Sequence, residues 1–218
     1  MSYKRLGDPR RQKALVPFLT AAAGLDGHLV AIAVDKKKKW LSLPKTAYEP
    51  FLGILNLTGS WNPKSLEEMM RKVHFMALLT PIWAGPNARV TWITDEDEFI
   101  ANASRHNDVL QTAARMTSLY SPRPMHTLRI NSTDQDIGEM DYEDLCAIPD
   151  LAAGMLSEVA SGLNQKGSGE TKFKMALHSE LPTKAQVLAN WFWDEDMRLR
   201  KTFITIDTQE TKFTVRKI

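Results

Sequence analysis

The stretch that decides the fold class is Ala88-Arg-Val-Thr-Trp-Ile-Thr-Asp-Glu-Asp97, in which an apolar, partly β-branched run ends directly in carboxylates. Such a run predicts a β-strand over residues 88–94. Asp95 stands where this strand ends, on the side of an open α/β sheet where ligands usually bind. Asp97 follows two residues later, so a continued extended backbone directs it to the same side as Asp95.

Helical and extended patterns alternate on both sides of this strand. The apolar run His28-Leu-Val-Ala-Ile-Ala-Val34 predicts a buried strand, and residues 125–130 predict another. Helices are predicted over residues 9–23, 45–57, 66–79, 98–120 and 145–163, the first with Asp8 as its N-cap and the third ending before Pro81. Alternation of strands and helices implies an α/β sheet with at least partly parallel order.

The C-terminal part of the chain has a different pattern. Gly167-Ser-Gly169 is the clearest linker, and a helix is predicted from about Thr183 to Trp193. Two short strands, 202–206 and 212–216, then predict a β-hairpin. We therefore expect an α/β domain over residues 1–166 and an appendage of one helix and a hairpin, residues 167–218, packed on it.

The overall composition is that of an ordinary globular protein, with 43% hydrophobic and 25% charged residues. No apolar run approaches the roughly 20 residues that cross a bilayer, and no secretory signal is evident. Cys146 is the single cysteine, which excludes an internal disulfide and a cysteine-rich zinc site. These features predict a cytoplasmic protein without membrane partners.

Several classes of site are disfavoured by the motifs that the chain lacks. No glycine-rich phosphate loop follows a predicted strand, and neither a nucleophile elbow nor a His-Glu-x-x-His motif occurs. The five histidines lie on different elements without ligand spacing, which favours surface or core roles. The remaining chemistry is that of carboxylates.

Asp95, Asp97 and Asp150 are the candidate metal ligands, because hard cations such as Mg²⁺ and Mn²⁺ prefer oxygen donors. Asp150 is an acidic residue in the otherwise apolar helix Leu145–Leu163. Each candidate also has a structural alternative. Asp95 would cap the helix that follows its strand, and Asp150, after Pro149, would lie in a first helical turn and offset the helix dipole.

Basic residues cluster apart from the acidic ones, although the net charge is only +2. The candidates for contact with a nucleic-acid backbone are Arg10, Arg11, Lys36, Lys37 and Lys38. The alternative for each cluster is a solvated surface, which is the usual reason for blocks of like charge.

Two of these motifs, taken in order, resemble a known family. Ile93-Thr-Asp95-Glu96 matches a strand ending in Asp-Glu. Leu145-Cys-Ala-Ile-Pro-Asp150-Leu-Ala-Ala-Gly154 matches a helix that reads approximately Gln-x-Ala-Asp-Leu-x-Ala-Gly, with Pro149 where alanine is usual. From about Arg10 to Leu163 the chain resembles an uncharacterised family of bacterial ribonuclease H-like proteins, many of which occur with mobile elements or defence genes. The resemblance implies a mixed sheet flanked by helices and a divalent-metal-dependent nuclease, with Asp95 and Asp150 catalytic and Glu96 supporting them.

One departure from the family is serious. Its members begin with a strand bearing Asp-Glu-Ser-Gly, which occurs nowhere in this chain. Three explanations stay open: the chain is a fragment or one part of a split protein, Asp35 replaces the missing carboxylate, or the site is degenerate. The last predicts a catalytically inactive module that binds proteins or nucleic acid. Under each explanation the sequence leaves open a protein partner or a homo-oligomer.

Overall fold

The computed structural model describes residues 1–33, 45–85, 87–94, 100, 102–121, 127–133, 140–166, 183–207 and 212–217. The chain divides into two compact units, residues 1–36 with 143–218 and residues 37–142. The described residues form six α-helices and five strands in a mixed α/β arrangement. None of the described helices combines the length and apolarity that a membrane span requires.

The first unit contains a three-stranded sheet with helices. Its elements are α1 (Pro9–Ala23), β1 (His28–Ala33), α5 (Asp141–Lys166, which begins two residues before the unit), α6 (Thr183–Trp193), β4 (Arg200–Asp207) and β5 (Lys212–Lys217). The strand order is β1-β4-β5, with β1 parallel to β4 and β4 antiparallel to β5. The predicted C-terminal hairpin is thus confirmed, and through β4 it extends the sheet of β1.

Helix α1 begins where its sequence predicts. The Asp8 carboxylate accepts hydrogen bonds from the backbone N–H groups of Arg10 and Arg11, at 2.8 and 3.1 Å. Proline at the first helical position lacks only an N–H that would have no helical partner. Leu15, Leu19 and Ala22 then form one buried face.

The core of the first unit lies between α1, α5, α6 and the sheet. Its fully buried side chains include Leu6, Leu151, Met155, Leu188 and Phe192. Strand β1 was expected to be buried, but only Leu29 is, and its other five residues are half-buried. Within the described part of the chain β1 pairs with β4 alone, which leaves its second edge uncovered by any described strand.

The second unit is built on a βαβ arrangement preceded by two helices. Its elements are α2 (Tyr48–Leu55), α3 (Pro63–Trp83), β2 (Arg89–Thr94), α4 (Ala103–Tyr120) and β3 (Thr127–Ser132). Strands β2 and β3 are parallel and form a separate two-stranded sheet. Leu66, Met69 and Val73 of α3 pack with Val109 and Ala113 of α4, Ile130 of β3 and Trp61 as the core.

Helix α3 extends beyond its predicted bounds, residues 66–79, at both ends. Asn62 and Ser65 form a reciprocal capping box, and Pro63 occupies the first turn. The predicted end before Pro81 is wrong, because the helix continues to Trp83. Proline removes only one backbone hydrogen bond so close to the end of the helix. Around it, the Thr80 hydroxyl donates a hydrogen bond to the Met76 carbonyl, and the Ala84 N–H donates one to the Thr80 carbonyl.

The α/β class is therefore shown, whereas the ribonuclease H-like arrangement of the sheet stays a prediction. The expected boundary between domains lies after residue 166. Residues 167–182, which follow it, lie outside the described part of the chain, so this boundary also stays a prediction.

Candidate functional site

Strands β2 and β3 end together at one edge of their sheet. Their register pairs Arg89 with Thr127 at one end and Thr94 with Ser132 at the other, so both carboxyl ends coincide. In the sequence Asp95 follows Thr94 directly. Asp95 and Asp97 themselves lie outside the described residues, so the structure extends as far as the strand that leads to them.

Asp150 lies on an exposed part of α5. Its expected place in a first helical turn is wrong, because α5 begins at Asp141 and includes Pro149. The helix starts earlier than its apolar pattern suggests, since residues 141–145 are polar or exposed and carry no periodic signal. Asp150 therefore does not serve the helix dipole.

The carboxylate of Asp150 holds the N-terminal segment. Its Oδ2 atom accepts a hydrogen bond from the backbone N–H of Tyr3, at 2.8 Å. Tyr3 is the first residue of a short 3₁₀ turn, Tyr3–Arg5, which is followed by the fully buried Leu6. This contact joins residues 147 positions apart and was not predicted from the sequence.

Three residues of α5, each four positions from the next, meet different parts of Tyr3. The Asp150 carboxylate accepts a hydrogen bond from the Tyr3 backbone N–H, Gly154 lies against the Tyr3 ring, and Glu158 lies near the Tyr3 hydroxyl. A Cβ atom on Gly154 would stand only 2.2 Å from Cγ of Tyr3, so a larger residue cannot fit while the ring stays in place. Spacing by four on a helix places all three on one face.

Lys184 of α6 completes the surroundings of Tyr3. Its ammonium lies 4.4 Å from the centre of the Tyr3 ring and 3.7 Å from Oε1 of Glu158. The Tyr3 hydroxyl and Oε2 of Glu158 are buried without a hydrogen-bond partner among the described residues. Burial raises the pKa of Tyr3 well above its ordinary value, and the nearby Glu158 carboxylate raises it further.

The predicted nucleic-acid-binding residues are only partly described. Arg10 is exposed and Arg11 half-buried in the first turn of α1, where their backbone N–H groups bind Asp8. Lys36, Lys37 and Lys38 lie outside the described residues, as does Asp35, which follows β1 by two positions.

The described residues do not form a metal site by themselves. They contain no group of three or more His, Cys, Asp or Glu side chains placed to hold an ion. Asp150 has the right donor chemistry, since carboxylate oxygens suit Mg²⁺ and Mn²⁺. Asp95 and Asp97, the other candidate ligands, lie beyond the described ranges.

Two buried charged side chains serve the structure of the units. In the second unit, Asp108 accepts hydrogen bonds from Thr58, Gly59 and Trp61. Burial alone would raise the pKa of its carboxyl, but these bonds outweigh burial and lower it. In the first unit, Lys201 donates to the carbonyls of Trp191 and Asp194, and burial lowers its pKa.

An apolar groove of about 360 Å³ runs between β1 and α5. Its walls are residues 29–33 of β1, Pro149, Ala152, Ala153, Leu156 and Ser157 of α5, and Phe203 of β4. Asp150 lies on the same helix but is not among the residues that line the groove. The apolar lining of the groove suits hydrophobic side chains better than phosphate groups.

Comparison with models of protein families, with curated proteins and with solved structures finds no match to this chain.

Proposed function

We propose that this chain is a divalent-metal-dependent nuclease of the ribonuclease H-like kind, which hydrolyses phosphodiester bonds of nucleic acid. The observation that carries the proposal is the parallel pairing of β2 and β3, whose carboxyl ends coincide at Thr94 and Ser132. In α/β sheets this edge is where ligands bind. Asp95 and Asp97 follow β2 at this edge in the sequence.

Asp95 and Asp150 are the proposed catalytic metal ligands, with Asp97 and Asp35 as further candidates. Mg²⁺ or Mn²⁺ bound there would neutralise charge on the phosphate and activate a water molecule. The carboxylates of the chain hold the cation, and the exposed Arg10, with Arg11 and Lys36–Lys38, binds the phosphate backbone. That contact gives affinity that falls with salt and does not depend on base sequence.

Cleavage of labelled single- and double-stranded DNA and RNA in Mg²⁺ or Mn²⁺ tests the proposal. We expect Asp95→Asn and Asp150→Asn to abolish cleavage while circular dichroism stays that of the parent. Asp141→Asn is the matched control, because Asp141 is an exposed aspartate on the same helix as Asp150. Cleavage by both site variants at the parent rate would show that the proposed site is wrong.

A second candidate function is a catalytically inactive module that binds a protein partner. The apolar groove between β1 and α5 favours it, because half-buried apolar strand residues are a common feature of protein-binding surfaces. The hydrogen bond from Tyr3 also gives Asp150 a structural role that needs no metal. Absence of cleavage with every substrate and either metal would favour this second function.

A further inference from the structure

Helices α3 and α4 pack on one face of the β2–β3 sheet and leave the other face open. Side chains alternate between the two faces of a strand, so residues paired in register point to the same face. Trp92, Leu128 and Ile130 pack into the core with α3 and α4 and mark the covered face. The open face carries the other positions, which the register pairs as Arg89 with Thr127, Thr91 with Arg129 and Ile93 with Asn131.

The open face is basic and carries no acidic residue at these six positions. Arg89, Thr91 and Arg129 are exposed on it, and the other three residues are half-buried. The ion pairs among the described residues involve neither arginine. Two positive charges of the second unit are therefore presented to solvent on one surface.

The two arginines lie diagonally across the strand pair. Arg129 is beside Thr91, and Arg89 is two residues before Thr91 on β2. Strands about 4.8 Å apart that rise about 3.3 Å per residue place the two arginine Cα atoms about 8 Å apart. The exposed Thr91 adjoins both, so two guanidinium groups and a hydroxyl are close enough to contact one continuous ligand.

The chemistry of these side chains suits phosphate groups. A guanidinium group donates two parallel hydrogen bonds to a phosphate, and threonine hydroxyls are common donors to phosphate oxygens in complexes with nucleic acid. The six residues of the open face include no aromatic side chain on which a base could stack. The face therefore fits the backbone of a nucleic acid and not its bases.

We propose that the open face of the β2–β3 sheet binds the phosphodiester backbone of nucleic acid through Arg89 and Arg129, with Thr91 as a neutral donor between them. This inference rests on the proposed function, because nucleic acid is the partner in that proposal. It adds a binding surface in the second unit to the basic residues predicted from the sequence. Binding at this surface depends on salt and does not depend on base sequence.

Fluorescence anisotropy with labelled oligothymidylate and labelled duplex DNA, over a series of salt concentrations, tests the inference. EDTA is present, so that binding is measured without divalent metal and without cleavage. Each phosphate contact contributes about 0.7 to the slope of log affinity against log salt concentration for a single strand and about 0.9 for a duplex. The arginine-to-glutamine double variant, Arg89→Gln with Arg129→Gln, should therefore lower the slope by about 1.4 or 1.8. At about 0.1 M salt this corresponds to about 25- to 60-fold weaker binding of whichever DNA the parent binds more tightly.

Two matched variants separate charge from other effects. Arg89→Lys with Arg129→Lys keeps both positive charges and should keep the slope of the parent. Lys64→Gln removes an exposed positive charge from α3, which packs on the covered face of the sheet, and should bind like the parent. Circular dichroism should be unchanged in all three variants, because every substituted side chain is exposed.

The outcomes distinguish this inference from the nuclease proposal. Parent-like affinity and slope in the glutamine double variant would overturn the inference and leave the nuclease proposal to its cleavage assay. An equal loss of slope in the lysine double variant would also overturn it, because the charges would then not carry the binding. A parent that binds neither DNA at low salt would contradict both. Displacement of the DNA by poly-L-glutamate at equal charge concentration would overturn the assignment to phosphate and indicate an acidic polypeptide as the partner.

Discussion

Replacement of Asp108 by alanine should strongly destabilise the second unit. Asp108 is 3% exposed and accepts hydrogen bonds from the Thr58 N–H at 2.9 Å, the Gly59 N–H at 2.8 Å and the Trp61 indole N–H at 2.7 Å. The substitution leaves these three donors without an acceptor. Each buried donor left unpaired costs about 1–3 kcal/mol.

The expected loss is near the lower end of that range for each donor. Thr58 is exposed, so water can reach its amide, whereas Trp61 is buried. We therefore expect Asp108→Ala to lower the free energy of unfolding by about 3 kcal/mol. Asp108→Asn keeps one acceptor oxygen and should lose about half as much.

Urea unfolding followed by tryptophan fluorescence and circular dichroism measures this loss. Asn107→Ala is the control, because Asn107 is an exposed neighbour on the same helix and should change stability by no more than about 0.5 kcal/mol. A loss in Asp108→Ala no larger than that of Asn107→Ala would refute the claim that this carboxylate holds residues 58–61 against α4.

Three further predictions concern the first unit. Gly154→Ala should lower the free energy of unfolding, measured in urea, by about 1–3 kcal/mol, because the new Cβ displaces the Tyr3 ring. The same substitution should lower it by less when Tyr3 is already alanine. Tyr3→Phe should change the free energy of unfolding at pH 7 by no more than about 1 kcal/mol, since the buried hydroxyl makes no hydrogen bond of normal geometry although the Glu158 carboxylate lies near it. Because folding raises the pKa of Tyr3, the parent should lose stability as pH rises above the unfolded value of 10.0, and pH-dependent unfolding of Tyr3→Phe should lack that part of the loss. Lys201→Met should lower the free energy of unfolding in urea by about 2 kcal/mol, because it leaves the carbonyls of Trp191 and Asp194 without their donor. An unchanged free energy of unfolding would contradict this role of Lys201.

Local signals in the sequence were enough to predict most elements. Asp8-Pro9 marks the start of α1 because cap and first-turn chemistry act within a few residues. Helix α3, predicted from Leu66, begins at Pro63 instead, where Asn62 caps it. The strands of the βαβ arrangement follow from short apolar runs on either side of a helix. Pro81 misled the prediction because its cost is small in the last turn of a helix.

Long-range partners could not be predicted in the same way. Asp150, Gly154 and Glu158 share one face of α5, but nothing in the sequence identified Tyr3 as the residue packed on it. Likewise, the acceptor role of Asp108 depends on a loop about 50 residues earlier in the chain. Such contacts arise from packing, for which a single sequence carries no local pattern.

The proposed nuclease site requires Asp95 and Asp150 to bind the same divalent ion. Mn²⁺ affinity measured for the parent, Asp95→Asn, Asp150→Asn and the double variant tests it most directly. If both carboxylates bind one ion, each single substitution weakens Mn²⁺ binding at least tenfold, and the double variant is little worse than either. Parent-like affinity in either single variant would contradict it.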